Sequence, residues 1–188
     1  MKENTLKILI PLFAIVVIVE SLMLVSKLVN KPTLTQPETV SEEVETVYPL
    51  SLNWDSVLNE VKTGVTTNLP LTLVSTKDEA IDAIDLYVNY DPNIVEVKDV
   101  VVGKGLPQPS FKKINAEKGM VVLNFLISDV GGFQLKAGQV AGLVDLKVNF
   151  VKEGIAEFTL GEASLVVENT SAKVLPFNNE NLVINVTQ

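Results

Sequence analysis

Ile84-Asp-Leu-Tyr-Val-Asn-Tyr90, running directly into Asp91-Pro92-Asn93, alternates apolar and polar side chains and then stops at a turn. Successive side chains of a strand point to opposite faces. The spacing therefore predicts a half-buried strand with Ile84, Leu86, Val88 and Tyr90 toward a core and Asp85, Tyr87 and Asn89 outward. Pro92 presets the φ of a tight turn, and Asp91 can accept a bond from the backbone two residues on. Tyr90, Asp91 and Pro92 thus read as a structural turn that closes the strand.

The same period recurs on both sides. Leu50-Ser-Leu-Asn-Trp54 alternates likewise, which puts Trp54 in the apolar register, and longer apolar-rich runs cover Ile94–Val102, Met120–Ile127 and Leu143–Val151. Shorter ones cover Val65–Leu73, Phe111–Asn115, Ile155–Leu160, Ser164–Glu168 and Asn181–Val186. Lys62-Thr-Gly64, Gly103–Pro109, Glu117-Lys-Gly119, Gly131-Gly132 and Glu153-Gly154 separate them with turn chemistry. Roughly nine short strands with turns about every 8–12 residues predict an all-β sandwich. After residue 50 no window carries a helical apolar period, and Thr76–Asp82 makes one helical turn at most. Pro70 lacks an amide hydrogen, so it marks its strand as an edge or a bulge. Along 120–127, Val121, Leu123, Phe125 and Ile127 share one face, and Met120, Val122, Asn124 and Leu126 share the other.

The composition narrows the chemistry. The 188 residues hold 23 acids and 15 cations, all of them lysine, with no histidine or cysteine and a net charge of -8. Without Cys or His there is no thiolate nucleophile, imidazole base, disulfide or soft-ligand metal site. Without Arg there is no guanidinium fork for phosphate or guanine, and the acidic balance argues further against nucleic acid. Carboxylates, lysine or a hard cation could still do chemistry. Asp78, Glu79, Asp82 and Asp85 cluster in sequence, but no D-x-D-x-D-G calcium loop accompanies them, so solvated acids are expected there. The expectation is a binding or structural protein rather than an enzyme, with no cofactor and no metal.

The charges divide the chain in three. Residues 1–31 carry Lys2, Lys7, Lys27 and Lys31 against Glu3 and Glu20; residues 32–49 carry only Glu38, Glu42, Glu43 and Glu45. The rest lies in 50–188. Ile8 to Val25 is apolar except for Pro11, Glu20 and Ser21, and Leu28 and Val29 extend it. About 20 such residues span a hydrocarbon core. Residues 1–31 are therefore expected to form a single transmembrane anchor through 8–29, with a cytoplasmic N-terminus by the positive-inside rule. A cleaved signal peptide is the other reading, but the run is long for one and no A-x-A-like site follows it. Glu20 either sits near the outer interface or is protonated, or it pairs with a neighbouring helix. Residues 32–49, rich in Pro, Thr and Glu, read as an extended extracellular linker.

In order, Val61-Lys-Thr-Gly64, the Pro-containing Asn68–Leu73, Tyr90-Asp91-Pro92-Asn93 with Ile94-Val-Glu-Val behind it, the Gly103–Pro109 loop, the Glu117-Lys-Gly119 hairpin, Leu143–Val151 into Lys152-Glu-Gly154, and Asn181–Val186 resemble a cohesin module. The resemblance spans about residues 50–187. It implies a nine-stranded jelly-roll sandwich whose partner is a dockerin-like domain lying across one sheet. Cohesins present an Asn-x-Asp pair upstream of the Tyr-Asp-Pro turn; here Asp85 matches the Asp, but Ala83 stands at the Asn, which puts the standard partner in doubt.

Strand alternation then proposes a partner-binding face of Asp85, Tyr87, Val122, Asn124 and Leu126, a mixture of apolar and hydrogen-bonding groups suited to a protein surface. The plain alternative is that Tyr87 merely covers the sheet and Asp85 is a solvated charge. The expected function is a membrane-anchored extracellular module that holds a dockerin-like or other cell-surface protein. A carbohydrate-binding or adhesion module that binds polysaccharide on the same fold, or a structural assembly subunit, are the competing readings. Lys112-Lys113 is too small a doublet to imply an anionic partner. Asn169-Thr-Ser171 and Asn185-Val-Thr187 match glycosylation sequons by pattern alone.

Overall fold

The computed structural model of the chain describes residues 48–188. The apolar segment 8–29, Glu20 within it and the linker as far as residue 47 lie outside the described residues. Among the described residues the chain forms strands and no helix. In order these are β1 (Leu50–Trp54), β2 (Glu60–Lys62), β3 (Thr66–Ser75), β4 (Glu79–Tyr90), β5 (Val95–Val102), β6 (Phe111–Asn115) and β7 (Met120–Leu126). There follow β8 (Phe133–Leu135), β9 (Val140–Phe150), β10 (Gly154–Leu160), β11 (Leu165–Glu168), β12 (Val174–Leu175), β13 (Phe177–Asn179) and β14 (Leu182–Thr187).

Two sheets result. One runs β13-β1-β3-β9-β5; the other runs β12-β11-β4-β10-β14-β2, with β6-β7 and β8 laid along the opposite side of β4. Pairing is antiparallel except for β1 with β13 and β14 with β2. Four of the fourteen strands have only two or three residues, and β10 and β11 follow one another along a single side of β4. Nine long lanes remain, the number that the resemblance implied.

The core lies between the sheets. Leu69, Leu71 and Leu73 of β3 and Leu146, Val148 and Phe150 of β9 are fully buried from one side; Ile84, Leu86, Val88, Leu123, Phe125 and Phe158 meet them from the other. The alternation read at 84–90 and 120–127 is therefore observed, including Ile127 on the inner face. Lys112, at the edge strand β6, ties the sheets at one side: its Nζ pairs with Asp99 at 2.9 Å and donates to the Val100 carbonyl at 2.7 Å on β5. The Lys112 hydrogen bond, with a backbone N–H beside it, holds the Asp99 carboxyl below its ordinary range.

Two local expectations need correction. Thr76–Asp82 makes no helical turn, because β4 already begins at Glu79. Glu79 is buried, and Lys77 reaches it from solvent at 3.0 Å. Pro70 sits in neither an edge strand nor a bulge of its own. β3 is flanked by β1 and β9, and Pro70 pairs with Asp145. Its carbonyl points toward β1 and accepts from the Asp55 amide at 2.9 Å, just past the last β1 pair. The missing N–H faces the place where β1 has ended, so no ladder bond to β9 is lost. The register shift lies one step on, between Leu71 and Thr72.

Candidate functional site

The outer face of the second sheet can be read row by row from the register. Leu126 of β7 stands opposite Ala83 of β4, which stands opposite Val167 of β11. In the next row Phe111 of β6, Asn124, Asp85 and Leu165 follow one another across four strands. Lys113, Val122 and Tyr87 make the third row, and Asn115, Met120, Asn89 and Thr159 the fourth. All five sequence-predicted binding residues therefore share one face. Phe111, Leu165 and Val167 belong to it as well and were not legible, because their register against β7 and β4 is a long-range fact.

Asp85 and Asn124 are joined directly. The Asn124 side-chain amide donates to Asp85 Oδ1, while Ser110 Oγ lies in hydrogen-bond reach of the Asn124 side-chain oxygen and of its backbone carbonyl, the latter at 3.1 Å. A polar chain thus runs from Ser110, just ahead of β6, across β7 to β4. Around it the face is apolar: Leu126 and Phe111 are 64% and 51% exposed, while Tyr87, Val122, Leu165 and Val167 are half-buried.

The backbone beneath Tyr87 is held from the β10–β11 break. Tyr87 N–H donates to Ser164 Oγ at 3.0 Å, and the Tyr87 carbonyl accepts from the Gly161 amide at 2.7 Å. A Cβ on Gly161 would lie 3.2 Å from both Tyr87 Cβ and Asn89 Nδ2, so the residue lets the two strands close beneath the ring. Ser164 is buried, and its own amide donates to the Gly161 carbonyl at 2.9 Å, which closes the break on itself. Its position just before β11 was visible in the sequence, its role was not.

The Tyr90-Asp91-Pro92 turn is formed as expected. Asp91 Oδ1 accepts from the Asn93 amide at 2.9 Å, and the Asp91 carbonyl accepts from Val95 at 3.0 Å. Tyr90 packs inward, with its ring 6.4 Å from Phe158 in a stacked arrangement; Trp54 meets the same Phe158 at 5.7 Å. The Trp54 indole is only partly buried, yet its N–H is enclosed and without a hydrogen-bond partner, as is the Tyr90 hydroxyl.

Burial, reinforced by the charge of Glu96, pushes the Tyr90 hydroxyl above its usual value. A raised folded pKa means stability present below the unfolded value of about 10 and lost as pH rises toward the folded one. Tyr90→Phe is expected to match the parent within about 1 kcal/mol at pH near 8, since the orphan hydroxyl gains nothing by being there. In urea melts above pH about 10 the variant should become the more stable of the two. A parent-minus-variant difference that stays constant across that range would contradict this.

No group of three or more His, Cys, Asp or Glu side chains able to hold a metal occurs among the described residues. The chemistry available on the face is hydrogen bonding and apolar contact.

Comparison with known proteins agrees with this geometry. The sequence model of the cohesin domain matches residues 52–178. No curated protein matches the chain by sequence. Among solved structures, the third cohesin of ScaC from Acetivibrio cellulolyticus, in complex with the ScaB dockerin, is 14% identical with a TM-score of 0.60 over 74% of this chain and 99% of that one. A cohesin of OlpA from Clostridium thermocellum, in complex with a dockerin, is 13% identical, with a TM-score of 0.60 over 73% and 99%. A non-cellulosomal cohesin from the archaeon Archaeoglobus fulgidus is 13% identical, with a TM-score of 0.58 over 74% and 91%. With more than half of its length matched by the family, and a sandwich of the same fold, the chain belongs to the cohesin family.

Proposed function

We propose that this protein is a dockerin-binding module whose partner lies across β6, β7, β4 and β11, and that residues 8–29 anchor it in a membrane with the sandwich outside the cell. The observation that carries the binding reading is the Asp85–Asn124–Ser110 chain, set in an exposed apolar sheet face whose backbone is already paired. With its ladder satisfied, such a face can be met only by side chains, and a mixed apolar and hydrogen-bonding patch suits a folded partner. The membrane part rests on the apolar run of 8–25, with Lys2 and Lys7 before it and, beyond Lys27 and Lys31, only glutamates as charged residues as far as residue 49. Residues 32–49 act as the spacer.

Asp85 and Tyr87 are the contacts expected to orient the partner, with Asn124 fixing the carboxylate. Titrating the full chain in detergent against a panel of dockerin domains should find one that binds. The combined Asp85→Ala, Asn124→Ala variant should then bind about tenfold more weakly, equivalent to about 1.4 kcal/mol. Equal binding by parent and variant would remove this face from the reading. Retention by polysaccharide with no dockerin bound would replace it with the carbohydrate one. Trp54 gives that rival little support, because its ring packs against Phe158 with its N–H enclosed.

A further inference from the structure

Among the described residues β5 is the longest strand with a single partner: eight residues, paired only with β9. Such an edge carries a row of backbone N–H and C=O groups that another strand can pair with. At Val100 both groups are already taken by side chains. Its N–H donates to Asp99 Oδ1 at 2.7 Å, and its carbonyl accepts from Lys112 Nζ at 2.7 Å. Lys112 also donates to that same Asp99 oxygen at 2.9 Å. The lysine reaches this place from an inward register. It stands on β6 opposite Leu123, which is fully buried, so its stem leaves the strand on the inner side and its amine emerges at the edge of β5. Ile114, two residues on, takes the same side and packs against the core. An inward-pointing charge on an edge strand is one of the devices by which sheets avoid pairing with one another.

We infer that the Lys112–Asp99 pair guards the edge of β5 against a second copy of this chain, and that the latent interface behind it is an antiparallel β5–β5 contact joining two five-stranded sheets. The amine sits where an incoming strand would place its own N–H. Pairing there requires the lysine to leave Val100 and Asp99, and its charge would then be shut in beside an apolar seam without a partner. Charge also selects the occupant. Glu96 and Lys98 lie two residues apart on β5 and pair with each other at 2.6 Å. Two β5 strands related by a twofold axis can place Glu96 of each opposite Lys98 of the other, so the edge is its own complement. Val101, 53% exposed on the same strand, would be covered in such a pair. β5 belongs to the sheet away from the proposed dockerin face, so the inference stands or falls independently of that reading.

The test uses the full chain in detergent. The chain has no cysteine, so Val101→Cys supplies a single thiol beside the edge, and a short bis-maleimide reports when two β5 strands meet. In that background Lys112→Met is expected to raise the yield of crosslinked dimer about tenfold at equal protein and detergent. Any association through residues 8–29 is common to all the chains and cancels in the ratio. Methionine suits the inward position opposite Leu123, so the Lys112→Met chain should melt with the parent or above it, which separates an opened edge from a lost fold. Asp99→Ala is the second variant: its side chain is 56% exposed, and its removal frees the Val100 N–H and unpairs the lysine. It should raise the yield in the same direction by a smaller factor. Yields for both variants equal to the parent's overturn the guard. A dimer that sediments as one but does not crosslink at position 101 puts the contact elsewhere and overturns it equally.

Discussion

Phe158→Ala is expected to lower the unfolding free energy by about 3–5 kcal/mol, the range for removing a buried aromatic side chain from a packed core. Phe158 is fully buried on β10 and is the point at which three strands meet, because it pairs with Tyr90 of β4 and with Leu182 of β14. Its ring lies between those of Trp54 and Tyr90, and neither neighbour can move into the space freely. Tyr90 is fixed by the turn that follows it and Trp54 by its pairing with Leu71. The cavity would therefore remain largely open, which is the condition for the upper part of the range. Urea unfolding followed by Trp54 fluorescence measures it directly, with Phe158→Leu, which leaves a smaller cavity, as a comparison expected to cost about 1.5 kcal/mol. A Phe158→Ala loss below that figure would mean that the three-strand junction collapses around the missing ring.

Where one face of a strand is buried and the other is wet, the period of two is written into the residues, and β4 from Ile84 and β7 from Met120 could be read with the correct inward set. The start of β4 could not. Between Ile81 and Ala83 the register against β11 skips Asp82, so the inward phase changes from Glu79 and Ile81 to Ile84, Leu86 and Val88. A carboxylate on the inward side of that break looks like a surface residue until Lys77 is seen closing over it. β8 and β13 have three residues each and exist because the distant strands β4 and β1 pair with them, and β12 is two residues held against the neighbouring β11, so no local pattern announces them.

The same distinction governs the face. Asp85, Tyr87, Val122, Asn124 and Leu126 were legible because each lies on a strand with a clear alternation. Their assembly into rows, and the entry of Phe111, Leu165 and Val167, depend on pairings of strands far apart in sequence. Lys112 illustrates the limit from the other side. Read as half of a lysine doublet it says little; placed at the edge of β6 it joins the two sheets through Asp99 and Val100.

Gly119→Ala should be among the most damaging small substitutions at the end of the sandwich beside the proposed face, at about 2–5 kcal/mol. Two costs combine. Gly119 has φ of +59°, in the left-handed region where a Cβ costs about 1–2 kcal/mol. The added carbon would also press on the Tyr90 carbonyl, well inside van der Waals contact, and lie 2.6 Å from Pro92 Cδ, and overpacking of that kind costs about 1–3 kcal/mol. Neither obstacle is the flexible end of a side chain. The Tyr90 amide donates to the Gly119 carbonyl at 2.8 Å, so hairpin and turn are already drawn together, and Pro92 cannot rotate its ring away. Relief has to come from moving the β6–β7 hairpin off the end of β4, and that shift pulls Met120 and Val122 out of line with Asn89 and Tyr87. A thermal melt should show the stability loss, and dockerin affinity measured well below the melting temperature should fall with it, unlike in Phe158→Ala, where the face registers are set by β7 and not by the lost ring. An alanine at 119 that leaves both readouts within error of the parent would mean that the hairpin is not locked to the turn.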